Sequence, residues 1–339
     1  MKVDAARTHA RSGIEFTAAG FGGAPIGNFN HPFTDTDARE TVVNSWNMGI
    51  RYFDTAPGYG NGLSEYRLAH ALRDYDRSEY VLSSKVGRVI TPRLNAPTSD
   101  GQYKDIPPFV AEFDYSYDGV MRSVERSMQR MLCDRFDILF IHDVDRYTHG
   151  AAQPELFKQA IEGAYPALES LRDQGVVKAI GFGINDTDVM TDAVRSTDAD
   201  LYLLAGRYTL LEQEPLDEVL PLCEERGIGI VLGGVYNSGI LATGPTPAAR
   251  FNYALAPESV KEKAGHLERI CSDHHVPLAA AALQFAYAHP SVLSICIGAR
   301  NVEQQKRNAE LFDTVIPQQL WTDLREAALV RDDAPTPAS

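Results

Sequence analysis

Four residues with reactive side chains stand at the ends of short apolar runs. Asp54 closes IRYFDT, Lys85 closes YVLSSK, His142 closes FDILFIH, and Asn185 follows VVKAIGFGI. A fifth, Tyr59, sits in the glycine-studded turn APGYGNG just after Asp54. A carboxylate and a phenol both need water or a partner, so holding them beside a core demands a reason. A free tyrosine ionises near pH ~10. An ammonium about 4 Å away would favour its phenolate by up to about 4 kcal/mol at an effective dielectric near 20. That is roughly three pK units, with burial of both charges opposing it. On this reading Asp54 keeps Lys85 charged and in place, Lys85 lowers Tyr59, and His142 shares a hydrogen bond with a substrate oxygen. Such a set takes a proton from an alcohol or gives one to a carbonyl.

Taken singly, each residue has a plainer account. An aspartate after a strand is a common turn former or helix cap, a lysine there is usually solvated, and a histidine is often a satisfied core residue. What points beyond that is the coincidence of the same feature at several strand ends, so the elements that carry them decide the matter.

The 339-residue chain alternates short apolar runs with longer amphipathic ones. TDARETVVNSWNMG, LSEYRLAHALRD, YDGVMRSVERSMQRML and ELFKQAIEGAYPALESLRDQG read as helices. Between and after them IRYFDT, YVLSSK, FDILFIH, VVKAIGFGI, DLYLLAGRY, IGIVLGG and SVLSICIG read as strands. With the start IEFTAAGFGGA this makes about eight strand–helix units, which predicts a parallel sheet covered by helices. An open dinucleotide-binding sheet would carry G-x-G-x-x-G or a Walker loop, and GFGGAPIG and GGVYNSG are neither. A single (β/α)8 TIM barrel over residues 1–339 is therefore expected. In such a barrel the C-terminal strand ends share one rim, where active sites lie, so Asp54, Lys85, His142 and Asn185 would converge. Residues 88–115, proline-rich and too long for an ordinary connection, read as a substrate loop. The end, 331–339, reads as a disordered tail.

A net charge of −14 argues against a partner with a phosphate backbone, so no nucleic acid is expected. No apolar run approaches the length of a spanning helix, and MKVDAARTHARSG lacks the apolar stretch of a secretory signal. The expectation is a cytoplasmic protein without a membrane partner. The four scattered cysteines suit a reduced compartment, and the histidines form no metal-ligand spacing, so no metal is expected. Oligomeric state is not readable.

FDTAPGYGNGLSE, LSSKVGR and LFIHDVD resemble the signatures of the aldo-keto reductase superfamily, and the likeness runs from about Ile14 to Phe312. It implies a (β/α)8 barrel using NAD or NADP, with Asp54, Tyr59, Lys85 and His142 as the catalytic tetrad. It further implies that Asn185 binds the nicotinamide carboxamide and that the ring of Tyr208 stacks on nicotinamide. Asn237, Ser238 and Gly239 would lie over the pyrophosphate. Gly298, Arg300, Gln304 and Asn308 would meet the adenosine end. Gly22 and Gly23 would let the backbone approach the cofactor closely. Three departures stand out. Ala205 replaces the family's glutamine, Arg307 stands where many relatives have glutamate, and Gly298 stands near where NADP-preferring relatives place a lysine. The last of these favours NAD.

GFGGAPIGN, VGR and AGRYTLL are similar to the sugar 1-dehydrogenase branch of that superfamily, which includes L-fucose dehydrogenase and D-threo-aldose 1-dehydrogenase. This implies oxidation of the anomeric hydroxyl of an aldose to a lactone, with Tyr59 as general base and a rate rising with pH. Asn28, Asn30, His31 and Asp143 are the candidates for meeting sugar hydroxyls. A pyridoxal 4-dehydrogenase, or a general carbonyl reductase, is the alternative. A nucleotide-sensing partner with little turnover, or a sugar isomerase on a similar barrel, is the reading from another class.

Overall fold

Runs such as FDILFIH are apolar on both faces of the pleat, which suits a strand covered on two sides. In the computed structural model, which describes residues 2–337, eight such strands close into a parallel barrel. They are β1 (Ala19–Gly22), β2 (Tyr52–Asp54), β3 (Val81–Val86), β4 (Ile138–His142), β5 (Ala179–Ile184), β6 (Leu201–Ala205), β7 (Gly229–Gly233) and β8 (Val292–Ile297). Neighbours in sequence are neighbours in the barrel, and β8 pairs with β1 to close it.

Helices wrap the outside: α1 (Asp35–Asn47), α2 (Leu63–Leu72), α3 (Tyr117–Met131), α4 (Tyr165–Asp173), α5 (Thr187–Ser196) and α6 (Val219–Arg226), then α7 (Glu258–Asp273), α8 (Leu278–Ala288), α9 (Val302–Asp313) and α10 (Gln318–Glu326). Their starts follow from capping. Thr34 accepts from the Asp37 amide, Ser116 from Gly119 and Asn301 from Gln304, each satisfying a donor that the first turn leaves free.

The barrel interior holds Tyr52, Ile138, Phe140, Ala179, Leu201, Leu203, Val231 and Leu293. Ile14 and Phe16 join them from an antiparallel N-terminal hairpin, Ala6–Thr8 with Glu15–Thr17, and stop the end opposite the functional rim.

Three segments differ from the sequence expectation. The stretch IEFTAAGFGGA is two elements, a hairpin strand followed by β1. The helical run from 153 to 173 is interrupted by a π-helical turn at Ala160–Ala164. Pro166, two residues beyond it, has no N–H for the regular ladder, and a wider turn removes that conflict. The tail is tied down: the Arg331 amide donates to Gln213 Oε1 (3.0 Å), Arg325 donates to the Ala334 carbonyl (3.1 Å), and Gln318 to that of Pro337 (2.6 Å). Residues 331–337 therefore lie against α10 rather than disordered, and 338–339 fall outside the described residues. Within 88–115, Arg88–Pro92 and Phe109–Phe113 pair as an antiparallel hairpin that carries the rest of the loop over the barrel mouth. Among the described residues no helix is long and apolar enough to cross a membrane.

Candidate active site

The strand register explains how the charged residues meet. Asp54, last residue of β2, pairs with Ser83 of β3. Side chains alternate along a strand, so Ser83 and Lys85 share the inward face. Each takes one oxygen of the carboxylate: Ser83 Oγ donates to Asp54 Oδ1 (2.7 Å) and Lys85 Nζ to Oδ2 (2.6 Å). Lys85 Nζ also donates to the Thr55 carbonyl (2.9 Å), and Tyr52 Oη lies 3.0 Å from Ser83 Oγ. Lys85 is 1% exposed and Asp54 2%. A buried charge pair is tolerable only with further hydrogen bonds around it, and Ser83 and the Thr55 carbonyl supply two.

Tyr59 is brought over this pair by the turn after β2, where its amide donates to the Ala56 carbonyl (3.1 Å). Its ring centroid is 4.6 Å from Lys85 Nζ, and its ring meets that of His142 edge-on at 5.8 Å. The four residues of the expected tetrad thus form one cluster. The electrostatics differ from expectation. Burial, then the charges of Asp54 and Asp143, push Tyr59 well above the usual phenol range. Lys85 does not overcome this because its charge is already met by Asp54 at 2.6 Å. Burial, then Lys85 and Arg88, pull His142 well below the usual imidazole range. The cluster therefore presents a protonated phenol and a neutral imidazole near neutral pH.

Above it opens a cavity of about 430 Å³. Tyr59, Lys85, His142, Asp143 and Asn185 line it, with Arg88 and a set of aromatic rings, Phe29, Tyr103, Tyr147 and Tyr253. Asn185 Nδ2 donates to Asp143 Oδ1 (3.1 Å) and Asp145 Oδ2 (2.9 Å). A smaller cleft adjoins it, lined by Ala205, Gly206, Arg207, Gly234, Asn237, Ser238, Asn252 and Tyr253. Cys296, a free thiol that burial and Asp54 push well above its usual range, is a poor nucleophile there.

Several expected contacts lie elsewhere. Asn28 is 2% exposed and braces a loop: its Nδ2 donates to the Lys104 carbonyl (2.9 Å), and its Oδ1 accepts from the Phe33 amide and Arg67. Asn30 and His31 are exposed and do not line the cavity. Of the four substrate candidates, Asp143 alone lines it. Tyr208 is buried against Phe285 (5.3 Å) and His289 (5.6 Å), and Arg207 occupies the cleft instead. Gly23 is required by the protein itself, since a Cβ there would sit 2.7 Å from the Asp54 carbonyl and from Ser64 Oγ. Gly22 packs likewise against Gly298. Arg88 belongs to the expected substrate loop, whereas Arg207, Asn252 and Tyr253 lie outside any stretch expected to line the site.

The rim beside the cleft carries unmet polar capacity. Asn237 Oδ1, Tyr236 Oη, Gln305 Oε1 and Asn308 Nδ2 are buried without a partner, although such atoms ordinarily find one. Asn237 Nδ2 is held by the Gly206 carbonyl (3.1 Å) and Glu212 (2.8 Å), which fixes the amide. Ser238 Oγ accepts from the Tyr253 amide (2.9 Å), and Gly239 follows in the same turn. Gln304 Oε1 accepts from the Arg300 amide (2.8 Å) at the start of α9. Asn185, Asn237 and Ser238 line the cleft that a long polar ligand would occupy. No group of three His, Cys, Asp or Glu side chains among the described residues is placed to hold a metal ion.

The aldo/keto reductase family model matches residues 18–328. The chain is 41% identical to pyridoxal 4-dehydrogenase of Microbacterium luteolum, covering 97% of this chain and 99% of that protein. It is 39% identical to D-threo-aldose 1-dehydrogenase of a Pseudomonas species, covering 97% and 98%. Among solved structures, the holo form of an aldo-keto reductase from Bacillus halodurans superposes with a TM-score of 0.73 at 23% identity over 96% of each chain, a likeness of fold.

Proposed function

Because the chain belongs to the aldo/keto reductase family, an oxidoreductase family that uses NAD(P)H, we propose that it oxidises the hemiacetal hydroxyl of a small cyclic hemiacetal to a lactone. The observation that carries this reading is the meeting of Tyr59 and His142, rings 5.8 Å apart, on the floor of a cavity of about 430 Å³. A phenol and a neutral imidazole converging there offer one proton acceptor and one hydrogen-bond partner to a single oxygen.

An aldose in its ring form is such a hemiacetal, and pyridoxal forms one with its own hydroxymethyl arm. The two relatives at 41% and 39% identity are named for these substrates. An aldose is the first reading, supported by the charged and polar groups Arg88, Gln102, Asp143 and Thr148 around the cavity. Pyridoxal is the second, supported by the rings of Phe29, Tyr103, Tyr147 and Tyr253, which suit a flat aromatic substrate.

When bound, the nicotinamide would accept hydride from the hemiacetal carbon. Asn185 would hold its carboxamide, with Nδ2 committed to Asp143 and Asp145 and Oδ1 left to accept. The turn Asn237, Ser238 and Gly239 would lie over the pyrophosphate, with the Ser238 hydroxyl as its donor because Asn237 Nδ2 is committed to Gly206 and Glu212, and Gly298, Arg300, Gln304 and Asn308 would line the adenosine end. Tyr59, once deprotonated, takes the hydroxyl proton while His142 orients the same oxygen. In the reverse direction the phenol returns that proton to the carbonyl. Gly298 cannot carry the cation that a 2′-phosphate would want, since a Cβ there meets Pro25 Cγ at 2.6 Å. This supports NAD over NADP.

The test mixes the protein with NAD or NADP and L-fucose, D-arabinose, L-galactose, D-glucose or pyridoxal, and follows reduced-nicotinamide absorbance at alkaline pH. Turnover that Tyr59→Phe abolishes is expected with at least one of them. A dinucleotide that binds while none of the five is oxidised would overturn the proposal and favour a nucleotide-sensing role.

A further inference from the structure

Arg88 opens the hairpin over the barrel mouth, and its guanidinium lies over the Phe113 ring at 4.4 Å. Nη2 donates to Asp143 Oδ2 at 2.6 Å. Nε is buried and has no partner. The guanidinium runs beside Gly58, the neighbour of Tyr59: a Cβ on Gly58 would meet Arg88 Cδ at 3.1 Å, and Nε and Nη1 at 3.5 Å. Asp143 directly follows His142 and adopts φ 56°, a left-handed backbone that aspartate takes more readily than most side-chain-bearing residues. Its Oδ1 accepts from Asn185. The other charged pair at the cavity floor, Lys85 with Asp54, is closed by its own hydrogen bonds. The buried Nε is out of a ligand's reach, but Arg88 Nη1 makes no hydrogen bond among the described residues, and Asp143 keeps lone pairs, where both line the cavity.

Resting on the oxidoreductase reading above, we propose that Arg88 and Asp143 form a clamp that selects substrates bearing a second hydroxyl one or two carbons from the carbon that loses hydride. The ligand class is a hydroxylated cyclic hemiacetal, with the 2-hydroxyl of an aldose or the 3-hydroxyl of pyridoxal in the clamp. A sugar hydroxyl both donates and accepts, so it satisfies the free guanidinium N–H and the carboxylate together, whereas the 3-oxygen of pyridoxal, ionised at alkaline pH, accepts from the guanidinium alone. A C–H in its place satisfies neither. Sites built on hydrogen bonds to a substrate hydroxyl reject the analogue without it far more strongly than apolar pockets reject an extra methylene.

The test compares matched pairs, an aldose with its 2-deoxy form and pyridoxal with its 3-deoxy form, in the wild type, Arg88→Met and Asp143→Asn. Methionine keeps an apolar stem against Phe113 but removes every N–H. For whichever pair the wild type oxidises, kcat/KM should favour the hydroxylated member by about 10²-fold, the scale of a lost charge-assisted hydrogen bond. In Arg88→Met that ratio should fall to within about threefold, mainly through KM. Asp143→Asn should reduce it part of the way and guards against a folding defect in the first variant. Equal losses for both members of a pair would overturn the clamp and leave the hemiacetal reading standing. A wild type that oxidises neither pair overturns both.

Discussion

On the floor of the cavity, Asp54, Lys85 and His142 are fixed by the ends of three barrel strands and Tyr59 by one tight turn. Over its mouth, Arg88, Tyr103, Tyr147 and Tyr253 arrive from three separate loops. The floor is buried and its charges are paired inside the protein. The roof is half open: Tyr147 is 53% exposed and Tyr253 47%. Groups that move a proton need fixed positions and a dry surround, whereas groups that meet a substrate must let it pass. Under the proposed function, the chemical step belongs to the floor, and recognition and exchange to the roof.

The largest effect that would break this division is at Tyr59. Tyr59→Phe keeps the ring over Lys85 and beside His142 but removes the hydroxyl, so kcat should fall by about 10³-fold, within the range for a positioned acid–base group. Thermal unfolding should be nearly unchanged. Retention of more than a tenth of the activity would mean that another group handles the proton.

The second test is of stability. Removing one partner of a buried charge pair leaves the other uncompensated, at a cost of about 3–5 kcal/mol. Asp54→Asn and Lys85→Met should each lower the urea midpoint strongly. The double variant, which leaves neither charge alone, should recover part of the loss. A double variant as unstable as the sum of the singles would show that the two do not interact.

How much of this was legible in the sequence follows the same division. Barrel closure put the strand ends with Asp54, Lys85 and His142 on one rim, so their convergence could be read from the sequence, but Ser83 as the second partner of Asp54 and the raised Tyr59 phenol could not. Of the roof, only the 88–115 loop gave a signal, by its length and prolines. Tyr253 lies at the turn of a short hairpin, Arg250–Phe251 with Ala254–Leu255, whose two-residue strands show no period. Asn28 looked like a substrate ligand because it is polar and follows the first strand, but it braces the loop between Phe33 and Lys104. Tyr208 is the instructive case. Alternation along β6 puts Leu203 and Ala205 into the cavity, but the strand ends there and Gly206 turns at φ 68°, which carries Arg207 to the cleft and Tyr208 against Phe285 and His289. Neither strand period nor family resemblance carries a signal of that turn.

The third test concerns pH. Burial and two carboxylates hold Tyr59 above its usual range, so at neutral pH almost all of it is phenol. Oxidation needs the phenolate, and its rate should rise about tenfold per unit from pH 7 towards 10 without levelling. Reduction needs the phenol and should stay flat over that interval. His142, held below its usual range, is neutral throughout and adds no second limb. A plateau in the oxidation rate near pH 8 would place the proton acceptor elsewhere, or show that bound cofactor lowers the phenol.

The smallest expected effect sharpens the roof. The Tyr253 amide donates to Ser238 Oγ, and Arg207 reaches Asn252 Oδ1 at 2.8 Å, so this hairpin straps the cleft that adjoins the cavity. The Tyr253 ring meets Phe29 at 6.2 Å and Tyr147 at 6.0 Å, and thereby joins the strap to the rest of the roof. Asn252 and Tyr253 both have positive φ, 49° and 63°, so the turn is held by these contacts against its own backbone preference. Tyr253→Ala should leave the floor untouched and loosen the strap. Stopped-flow release of the reduced nicotinamide cofactor should quicken by about three- to tenfold, the scale of one or two aromatic contacts, while the hydride-transfer rate in a single turnover stays within a factor of two. If instead the single-turnover rate fell with the release rate unchanged, the roof would take part in the chemical step, and the division between the two regions would fail.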